Sequence, residues 1–310
     1  MFKKIITSFS KNKIKYIENV KLEKFSNTKT GGVALLMTYP HNVEQLKYIL
    51  KILEINKQKK FILGNMTNVV IASGTLDYVI INMSEFITVP KFDEQSHILE
   101  VSAGYKMKDL SKWALNHSLS GLQWMEGIPG TVGAGSYMNA GFLPGQDFQS
   151  YLVEATVLMP NLTIRTIKNK EMEFAYRKSV LQKNGGIVLS VALLLRRGKK
   201  WKIAIRMNQY HRRRAKHQPL LLPSAGTVFV PPTPYHVGGI LPQLGLVGYK
   251  IGGAQVSKKS PGFIVGVNHM TGEDYYALVG FIQKKVLNQY GIELEPEVRL
   301  LGFESSDENK

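Results

Sequence analysis

The sequence predicts a fold of class α+β, because helical and strand patterns occupy separate short stretches of the chain. Residues 43–58, VEQLKYILKILEINKQ, repeat apolar side chains at helical spacing. The residues on this apolar face are Val43, Leu46, Leu50 and Leu53. The runs KKFILG, VVIA and YVIINM follow, and short apolar runs bounded by turn residues are typical of strands. One helix among several strands before residue 88 is compatible with an α+β or an α/β unit.

The remaining elements continue the mixture of strands and helices. The stretches that predict strands are HILEVSAG, LVEATVLM, GIVLSVALLL, GFIVGV and VRLLGF. MKDLSKWALNH predicts a helix, and a second helix is predicted by apolar residues at helical spacing, namely Tyr275, Leu278, Val279, Ile282 and Val286. We place domain limits near residues 88 and 197, which gives domains 1–88, 89–197 and 198–310. The tail ESSDENK has the composition of a disordered segment.

Composition limits the class of protein. A chain of 310 residues with 44% hydrophobic and 20% charged residues exceeds one typical domain and can bury a core. It contains no cysteine, which excludes disulfides and thiolate metal sites and is compatible with a reducing compartment. The start, MFKKIITSFS, lacks the apolar region of a secretory signal, and GIVLSVALLL is half as long as a membrane span. We therefore expect a cytoplasmic protein without a membrane partner.

The net charge of +17 has three candidate explanations: a nucleic acid or anionic membrane, a phosphate-rich cofactor and substrate, or a bias toward lysine. The densest basic cluster is residues 196–217, RRGKKWKIAIRMNQYHRRRAKH. Its basic residues alternate with apolar ones, so the cluster predicts a helix with one hydrated face. The interleaved apolar residues are Trp201, Ile203, Ile205, Met207 and Tyr210. No nucleic-acid-binding signature accompanies it, and we expect no nucleic-acid partner.

Residues 126–141, EGIPGTVGAGSYMNAG, form the most informative stretch. Five glycines remove side chains where a backbone approaches a ligand or adopts positive φ. Such a loop can expose consecutive N–H groups, which suits a pyrophosphate. The stretch lacks the Gly-Lys-Ser/Thr of a Walker loop, and it does not stand between a strand and a helix early in a βαβ unit as a Rossmann turn does. A packed glycine-rich turn remains an alternative.

Four shorter signals are ambiguous on the residues alone. In PSAGTVFVPP, the hydroxyl of Thr227 serves either a turn or proton transfer. In FAYRKS, Arg177 is suited to gripping a carboxylate, although surface arginines are common. In ELEPEVRLLG, Glu297 precedes the final strand, where acids are usually solvated. LGNMTN, residues 63–68, is a second polar turn between strands.

In combination, these stretches resemble the UDP-N-acetylenolpyruvoylglucosamine reductases over residues 22–303. The matching blocks, in the family's order, are NTKTGGVA, GIPGTVG with MNAG, YRKS, QPLLLPSAGTVF, GLVGYKIGGAQVS, GFIV and GIELEPEVRLLG. Their spacing is similar to the shorter, Gram-positive-like form. The resemblance implies a three-domain flavoprotein, with two N-terminal α+β FAD-binding domains of the PCMH type and a C-terminal α+β substrate-binding domain.

The resemblance also implies the activity and the site residues. The expected enzyme uses NADPH and FAD to reduce UDP-N-acetylenolpyruvoylglucosamine to UDP-N-acetylmuramate in peptidoglycan synthesis, on which cell shape and division depend. Its partner is a UDP-sugar nucleotide, and no metal is expected. Arg177 and Glu297 match the positions that stabilise the substrate carboxylate, and Thr227 matches the proton donor. The residues that match the FAD-binding positions are Gly64, Asn65, Thr67, Asn68, Gly127, Ile128, Pro129, Gly130, Thr131, Gly133, Asn139 and Ala140.

Several departures from the family pattern lie at ligand-facing blocks, among them GAGS after GTV, His217, FVPP, Ser260 and Gly266, and two others concern the expected chemistry directly. Thr227 replaces the usual serine, and its extra methyl restricts the side-chain rotamer. Met66 replaces the second glycine of the flavin turn, and a methionine there is costly if the position needs positive φ. Two other functions therefore remain open: a flavoprotein that acts on another substrate, and a degenerate member that catalyses nothing.

Overall fold

The structure is a computed structural model that describes residues 2–232 and 235–303. The tail ESSDENK lies outside the described residues. The chain forms two compact units. Unit 1 comprises Met1–Ile17, Leu36–Asn65 and Tyr78–Arg214, and unit 2 comprises Glu18–Leu35, Met66–Asp77 and Ala215–Lys310. Each unit is assembled from separated segments, and the division into domains 1–88, 89–197 and 198–310 stays a prediction.

The described residues contain helices of four to nineteen residues. They are α1 (Phe2–Lys11), α2 (Val43–Ile55), α3 (Met107–Asn116), α4 (Val132–Tyr137), α5 (Phe148–Tyr151), α6 (Leu181–Asn184), α7 (Lys200–His217), α8 (Val237–Gln243) and α9 (Gly272–Tyr290).

The strands are short. They are β1 (Lys15–Lys21), β2 (Val33–Tyr39), β3 (Lys60–Leu63), β4 (Val69–Ile71), β5 (Thr75–Asn82), β6 (Lys91–Asp93), β7 (Ile98–Ser102), β8 (Leu119–Ser120), β9 (Gly141–Leu143), β10 (Gln146–Asp147), β11 (Leu152–Leu158), β12 (Ile164–Lys168), β13 (Ile187–Leu194), β14 (Arg196–Arg197), β15 (Ser224–Thr227), β16 (Lys250–Ile251), β17 (Ala254–Val256), β18 (Phe263–Gly266) and β19 (Arg299–Leu301). Every stretch that the sequence predicts as a strand or helix contains one of these elements, which confirms the α+β pattern.

Unit 1 is organised by a five-stranded antiparallel sheet in the order β12-β11-β13-β7-β6. Apolar residues of this sheet pack with α3 and α4 around Trp124 and Phe148, whose rings meet edge to face at 5.7 Å. A second core in the unit joins α1 and α2 through Phe9, Leu46 and Leu53, all fully buried. Asn42 begins α2, because its side chain accepts a hydrogen bond from the Gln45 amide at 2.9 Å. These cores fix the backbone on which the glycine-rich stretch lies.

A four-stranded sheet has the order β1-β2-β5-β3. Its β3 and β5 pair in parallel, with Lys60 opposite Val79 and Leu63 opposite Asn82.

Unit 2 contains a four-stranded antiparallel sheet in the order β15-β18-β17-β16, and the parallel pair of β19 with β4. Helix α9 covers its core with the apolar face that the sequence predicts. The helix begins at a capping box in which Thr271 and Asp274 bond each other's backbone amides, and it ends at Gly291 with φ +66°. Its length and caps match the sequence pattern because both caps are local signals.

Two glycines of unit 2 differ in the space around them, and this gives a test of the packing. A Cβ at Gly32 would lie 1.8 Å from the carbonyl oxygen of Gly74, whereas a Cβ at Gly280, within α9, would meet nothing within 4 Å. Gly32→Ala should therefore lower the free energy of unfolding by about 1–3 kcal/mol through overpacking. Gly280→Ala should raise it by about 0.5–1 kcal/mol through helix propensity. Denaturant unfolding of both variants measures the difference, and two variants of equal stability would contradict the packing of unit 2.

Candidate active site

Thr227 and Glu297, which are 70 positions apart in the sequence, lie on neighbouring backbone segments in unit 2. The Glu297 amide donates a hydrogen bond to the Val228 carbonyl at 2.7 Å, and the Val230 amide donates to the Glu295 carbonyl at 2.9 Å. These bonds place the segment before β19 beside the end of β15. Two of the three residues expected to be catalytic are thereby brought together.

Two asparagine side chains hold this arrangement. The amide nitrogen Nδ2 of Asn68 donates to the Glu297 carbonyl at 3.1 Å, and the Arg299 amide donates back to the Asn68 carbonyl at 3.0 Å. Asn27 donates through Nδ2 to the Ser224 carbonyl at 2.6 Å. The sequence predicts that Asn68 binds FAD. In the structure, its side-chain amide donates a hydrogen bond to the Glu297 carbonyl. The role of Asn27 was missed, and its only sequence signal is its place at the start of NTKTGGVA.

The hydroxyl of Thr227 stands at the end of β15, opposite Phe263 of β18. Its methyl carbon Cγ2 lies 3.4 Å from the position that a Cβ on Gly262 would occupy. The methyl group therefore packs toward this glycine, and Oγ1 takes a different staggered position on the half-buried side chain. A glycine at 262 gives the additional methyl group of threonine room.

Tyr275 of α9 lies in the same core as Val228 and Val298, which adjoin Thr227 and Glu297. Its side chain is fully buried, and its hydroxyl has no hydrogen-bond partner within the described residues. Burial raises the pKa of Tyr275 far above its ordinary value, and the negative charge of Glu297 raises it further. Tyr275 therefore keeps its proton throughout the physiological pH range.

The glycine-rich stretch of unit 1 folds differently from the exposed loop that the sequence predicts. Residues 132–137 form α4, and the hydroxyl of Thr131 caps it by accepting a hydrogen bond from the Ala134 amide at 3.4 Å. Consecutive amides at Val132 and Gly133 donate to the Tyr105 and Ala103 carbonyls, both at 2.8 Å. The expectation of consecutive free N–H groups is wrong for these residues, because the backbone of the unit already uses them.

Two glycines of this stretch serve close packing. A Cβ at Gly133 would lie 2.7 Å from the Cβ of Ala103, and one at Gly135 would lie 2.5 Å from the ring of Phe148. Gly127 is different, because its φ of +75° is a conformation that glycine adopts without strain.

The polar turn at residues 63–65 contacts the glycine-rich stretch within unit 1. Asn65 donates through Nδ2 to the Pro129 carbonyl at 2.6 Å. A Cβ at Gly64 would lie 2.4 Å from Oγ1 of Thr131, so the Thr131 side chain occupies the space that a side chain at 64 would need. Four of the residues predicted to bind FAD thus meet at one place. Thr67 and Asn68 belong to unit 2.

Arg177 is built into unit 1 beside the end of the glycine-rich stretch. Its guanidinium donates to the Asn139 and Gly141 carbonyls, both at 3.3 Å, and lies 4.7 Å from the ring centre of Tyr176. Asn139 is buried and links two other segments, donating to the Ala175 carbonyl at 3.0 Å and accepting from the Gln149 amide at 3.0 Å. The half-buried Arg177 is therefore a cation of fixed position, and its φ of +54° is a strained conformation for a non-glycine residue.

Arg214, which the sequence analysis missed, is a buried cation at the glycine-rich stretch. It is 9% exposed, its guanidinium lies 5.0 Å from the ring centre of Phe142, and its Nε lies 3.4 Å from the Cβ position of Gly127. Burial lowers the pKa of Arg214 to about 10, which the nearby Glu126 opposes, so the guanidinium stays charged at neutral pH. Its spacing in α7, four positions after Tyr210, could have predicted a place on the buried face.

Three buried polar atoms around Arg214 have no hydrogen-bond partner within the described residues: Nε of Arg214, Oε2 of Glu126 and Oε1 of Gln146. Unpartnered buried polar atoms are rare in folded proteins, because each costs about 1–3 kcal/mol. Of the three, Nε of Arg214 is a donor, and an anionic group beside Gly127 would accept its hydrogen bond. The two oxygens are acceptors and need a donor, so only the Arg214 guanidinium fits the phosphates of a cofactor such as FAD.

The described residues contain neither a cluster of metal-binding side chains nor a helix that could span a membrane. In the described part of the chain, no three His, Asp or Glu side chains are grouped to hold a metal ion. Among the same residues, no helix combines the length and the apolar character that crossing a membrane requires.

Two protein-family models match separate parts of the chain and define its class. Residues 34–168 match the family model described as an FAD binding domain, and residues 218–301 match that of the UDP-N-acetylenolpyruvoylglucosamine reductase C-terminal domain. The chain is thus an FAD-binding flavoprotein with a distinct C-terminal domain.

Relatives over the full length identify the family. The chain is 36% identical to the UDP-N-acetylenolpyruvoylglucosamine reductase of Limosilactobacillus fermentum over 97% of this chain and 98% of that protein. It is 35% identical to that of Lactiplantibacillus plantarum, again over 97% and 98%. The crystal structure of the Thermus caldophilus enzyme matches with a TM-score of 0.76 and 27% identity over 93% of this chain and 98% of that chain. The chain belongs to the UDP-N-acetylenolpyruvoylglucosamine reductase family, which confirms the resemblance.

Met66 adopts the positive φ at which the family has glycine, with φ +48°, and its side chain is 3% exposed. The left-handed conformation costs about 1–2 kcal/mol for a non-glycine residue, and the loss of a buried methionine side chain costs about 2–5 kcal/mol. Met66→Gly should therefore lower the free energy of unfolding despite the relief of strain. Met66→Ala keeps the strain and loses the side chain, so it should be about 1 kcal/mol less stable than Met66→Gly. Denaturant unfolding of the two variants and the parent protein measures both differences, and an alanine variant that matches the parent would contradict this balance.

Proposed function

We propose that the chain catalyses the NADPH-dependent reduction of UDP-N-acetylenolpyruvoylglucosamine to UDP-N-acetylmuramate in peptidoglycan precursor synthesis, with FAD as its cofactor. Membership of the family supports the activity. The observation that links this activity to particular residues is the 2.7 Å hydrogen bond from the Glu297 amide to the Val228 carbonyl. Because of this bond, Glu297 lies beside the segment that contains Thr227. The UDP-sugar nucleotide is the proposed substrate, and the cytoplasm, where its precursors arise, is the proposed location.

We assign FAD to the glycine-rich stretch of unit 1 and its neighbours. The residues proposed to hold it are Gly64, Asn65, Thr67, Asn68, Gly127, Ile128, Pro129, Gly130, Thr131, Gly133, Asn139 and Ala140, to which we add Arg214. Gly64 and Gly127 let the backbone approach the cofactor, and the charged Arg214 compensates negative phosphate or ring charge. When bound, FAD supplies the redox chemistry that links NADPH to the enolpyruvyl group.

The proposed chemistry assigned to the protein's own residues concerns charge and one proton. Reduction of an enolpyruvyl double bond places negative charge on the carbon beside the carboxylate, and that carbon must then receive a proton. Thr227 is the proposed donor, since its hydroxyl is the group that the turn SAGT presents there. Glu297 is proposed to act in its protonated form, donating a hydrogen bond to the substrate carboxylate and so stabilising the developing charge, and Arg177 is proposed to bind a carboxylate through its guanidinium.

An anaerobic absorbance experiment tests this function. The protein is loaded with FAD, one equivalent of NADPH is added, and the enolpyruvyl nucleotide follows. Loss of the flavin colour and its rapid return on adding the nucleotide is the expected result. Loss without return would exclude this substrate and favour a flavoprotein that acts on another one. Failure to bind FAD would favour the non-catalytic alternative.

Substitution of Thr227 separates proton donation from cofactor binding. Thr227→Val keeps the size of the side chain and removes the hydroxyl, so it should slow the return of flavin colour by about 10²–10⁴-fold, the typical contribution of a general acid. Bleaching by NADPH should be unchanged. Thr227→Ser keeps the donor and is the matched control, expected to retain the second step. Full reoxidation in the valine variant would remove Thr227 from the mechanism.

Substitution of Arg214 tests the cofactor site. Arg214→Met should weaken FAD binding by about 10- to 100-fold, because a hydrogen bond to a charged group contributes about 1.5–3 kcal/mol. Arg212→Met removes the same charge from an exposed position of the same helix and should leave FAD affinity within experimental error. Titration of the flavin-free proteins, followed by flavin fluorescence, gives both constants. Equal affinities in the two variants would place Arg214 outside the cofactor site.

A further inference from the structure

The outward face of α7 carries exposed apolar side chains that the sequence placed among core residues. The helix buries Ile203, Met207, Tyr210 and Arg214. At 100° per residue, Trp201, Ile205 and Arg212 lie directly opposite these buried residues. Trp201 is 59% exposed and Ile205 is 51% exposed. Of the five apolar residues that the sequence interleaved with basic ones, these two therefore point away from the core of unit 1.

The same segment is strongly basic. Residues 196–217 contain ten Lys and Arg residues and no Asp or Glu. Arg197 is paired with Glu94, and Arg214 is buried. The eight others are exposed, namely Arg196, Lys199, Lys200, Lys202, Arg206, Arg212, Arg213 and Lys216. Glu126 lies 3.7 Å from His211 of this helix. Trp201 and Ile205 thus lie in a segment whose exposed Lys and Arg side chains are accompanied by no acidic residue of the same segment.

We propose that the outward face of α7, defined by Trp201, Ile205, Lys202, Arg212 and Lys216 and flanked by the other exposed basic residues of the segment 196–217, docks the protein on the surface of an anionic lipid bilayer. Tryptophan is favoured at the boundary between headgroups and acyl chains, where its ring is partly buried and its N–H is hydrated. Ile205, one turn further, enters the same layer. The lysines and arginines beside them meet lipid phosphates, and each contributes to binding when it lies near the surface. The protein lies on the bilayer and does not cross it.

Charge decides between this occupant and others. A second copy of the same face would bring the eight exposed cations against eight like charges, which is repulsive. A nucleic acid would satisfy the cations, but Ile205 can neither stack on a base nor form a hydrogen bond with one. An anionic lipid surface pairs with the cations and also takes up the apolar side chains of Trp201 and Ile205. The expectation of no membrane partner stays a prediction that the vesicle experiment decides, and the proposal does not depend on the proposed enzymatic function.

Vesicle binding by the full chain tests the proposal. We expect the protein to sediment with vesicles of 70% phosphatidylcholine and 30% phosphatidylglycerol. It should bind vesicles of pure phosphatidylcholine at least about tenfold more weakly. The double variant Trp201→Ser, Ile205→Ser should bind the anionic vesicles at least tenfold more weakly. Leu221→Ser is the matched control, because Leu221 is 99% exposed and lies outside the face. Its binding should equal that of the parent protein.

A measurement on the unaltered protein keeps the test independent of folding of the variants. Trp201 is the exposed tryptophan among the three in the chain, since Trp124 is buried and Trp113 is half-buried. Vesicles with brominated acyl chains should quench its emission, and adding salt should reverse the quenching. Absence of quenching, undiminished binding of the double variant, or preferred binding of single-stranded DNA with no dependence on Trp201 and Ile205 would each overturn the proposal.

Discussion

The hydrogen bond from the Glu297 amide to the Val228 carbonyl is the contact on which the candidate catalytic arrangement of unit 2 depends. It joins the segment before β19 to the end of β15, and the Asn68 side chain reinforces it from a third segment at 3.1 Å. Backbone bonds of this kind place side chains on rigid elements, so Thr227 and Glu297 need no rearrangement of the loops that carry them. Packing of α9 beneath these segments, with the buried Tyr275, completes the support.

In unit 1, one short stretch combines packing with ligand binding. Gly133 and Gly135 are glycines because α4 lies against Ala103 and Phe148, and Gly64 lies against the side chain of Thr131. Beside Gly127 the buried Nε of Arg214 has no hydrogen-bond partner within the described residues, so a donor is available there to the proposed ligand.

The departures from the family pattern prove to be local adjustments. The methyl group of Thr227 packs toward Gly262 without a close contact, and Met66 adopts a positive φ while its side chain is buried. Strain at Met66 is balanced by burial, since an apolar side chain removed from water contributes more than the left-handed conformation costs. Neither substitution changes the elements that the family shares.

The sequence by itself predicted the α+β class, the family, helices α2, α3, α7 and α9 and eight of the strands, because apolar periodicity and glycine-rich blocks are local signals. Only the tertiary structure decided that Asn68 supports Glu297, that the amides of Val132 and Gly133 are already used, that Arg214 is buried beside Gly127, and that Trp201 and Ile205 face outward. Asn68 and Glu297 are 229 positions apart. No periodicity relates such positions, since their hydrogen bond exists only when the packing of distant segments brings donor and acceptor together.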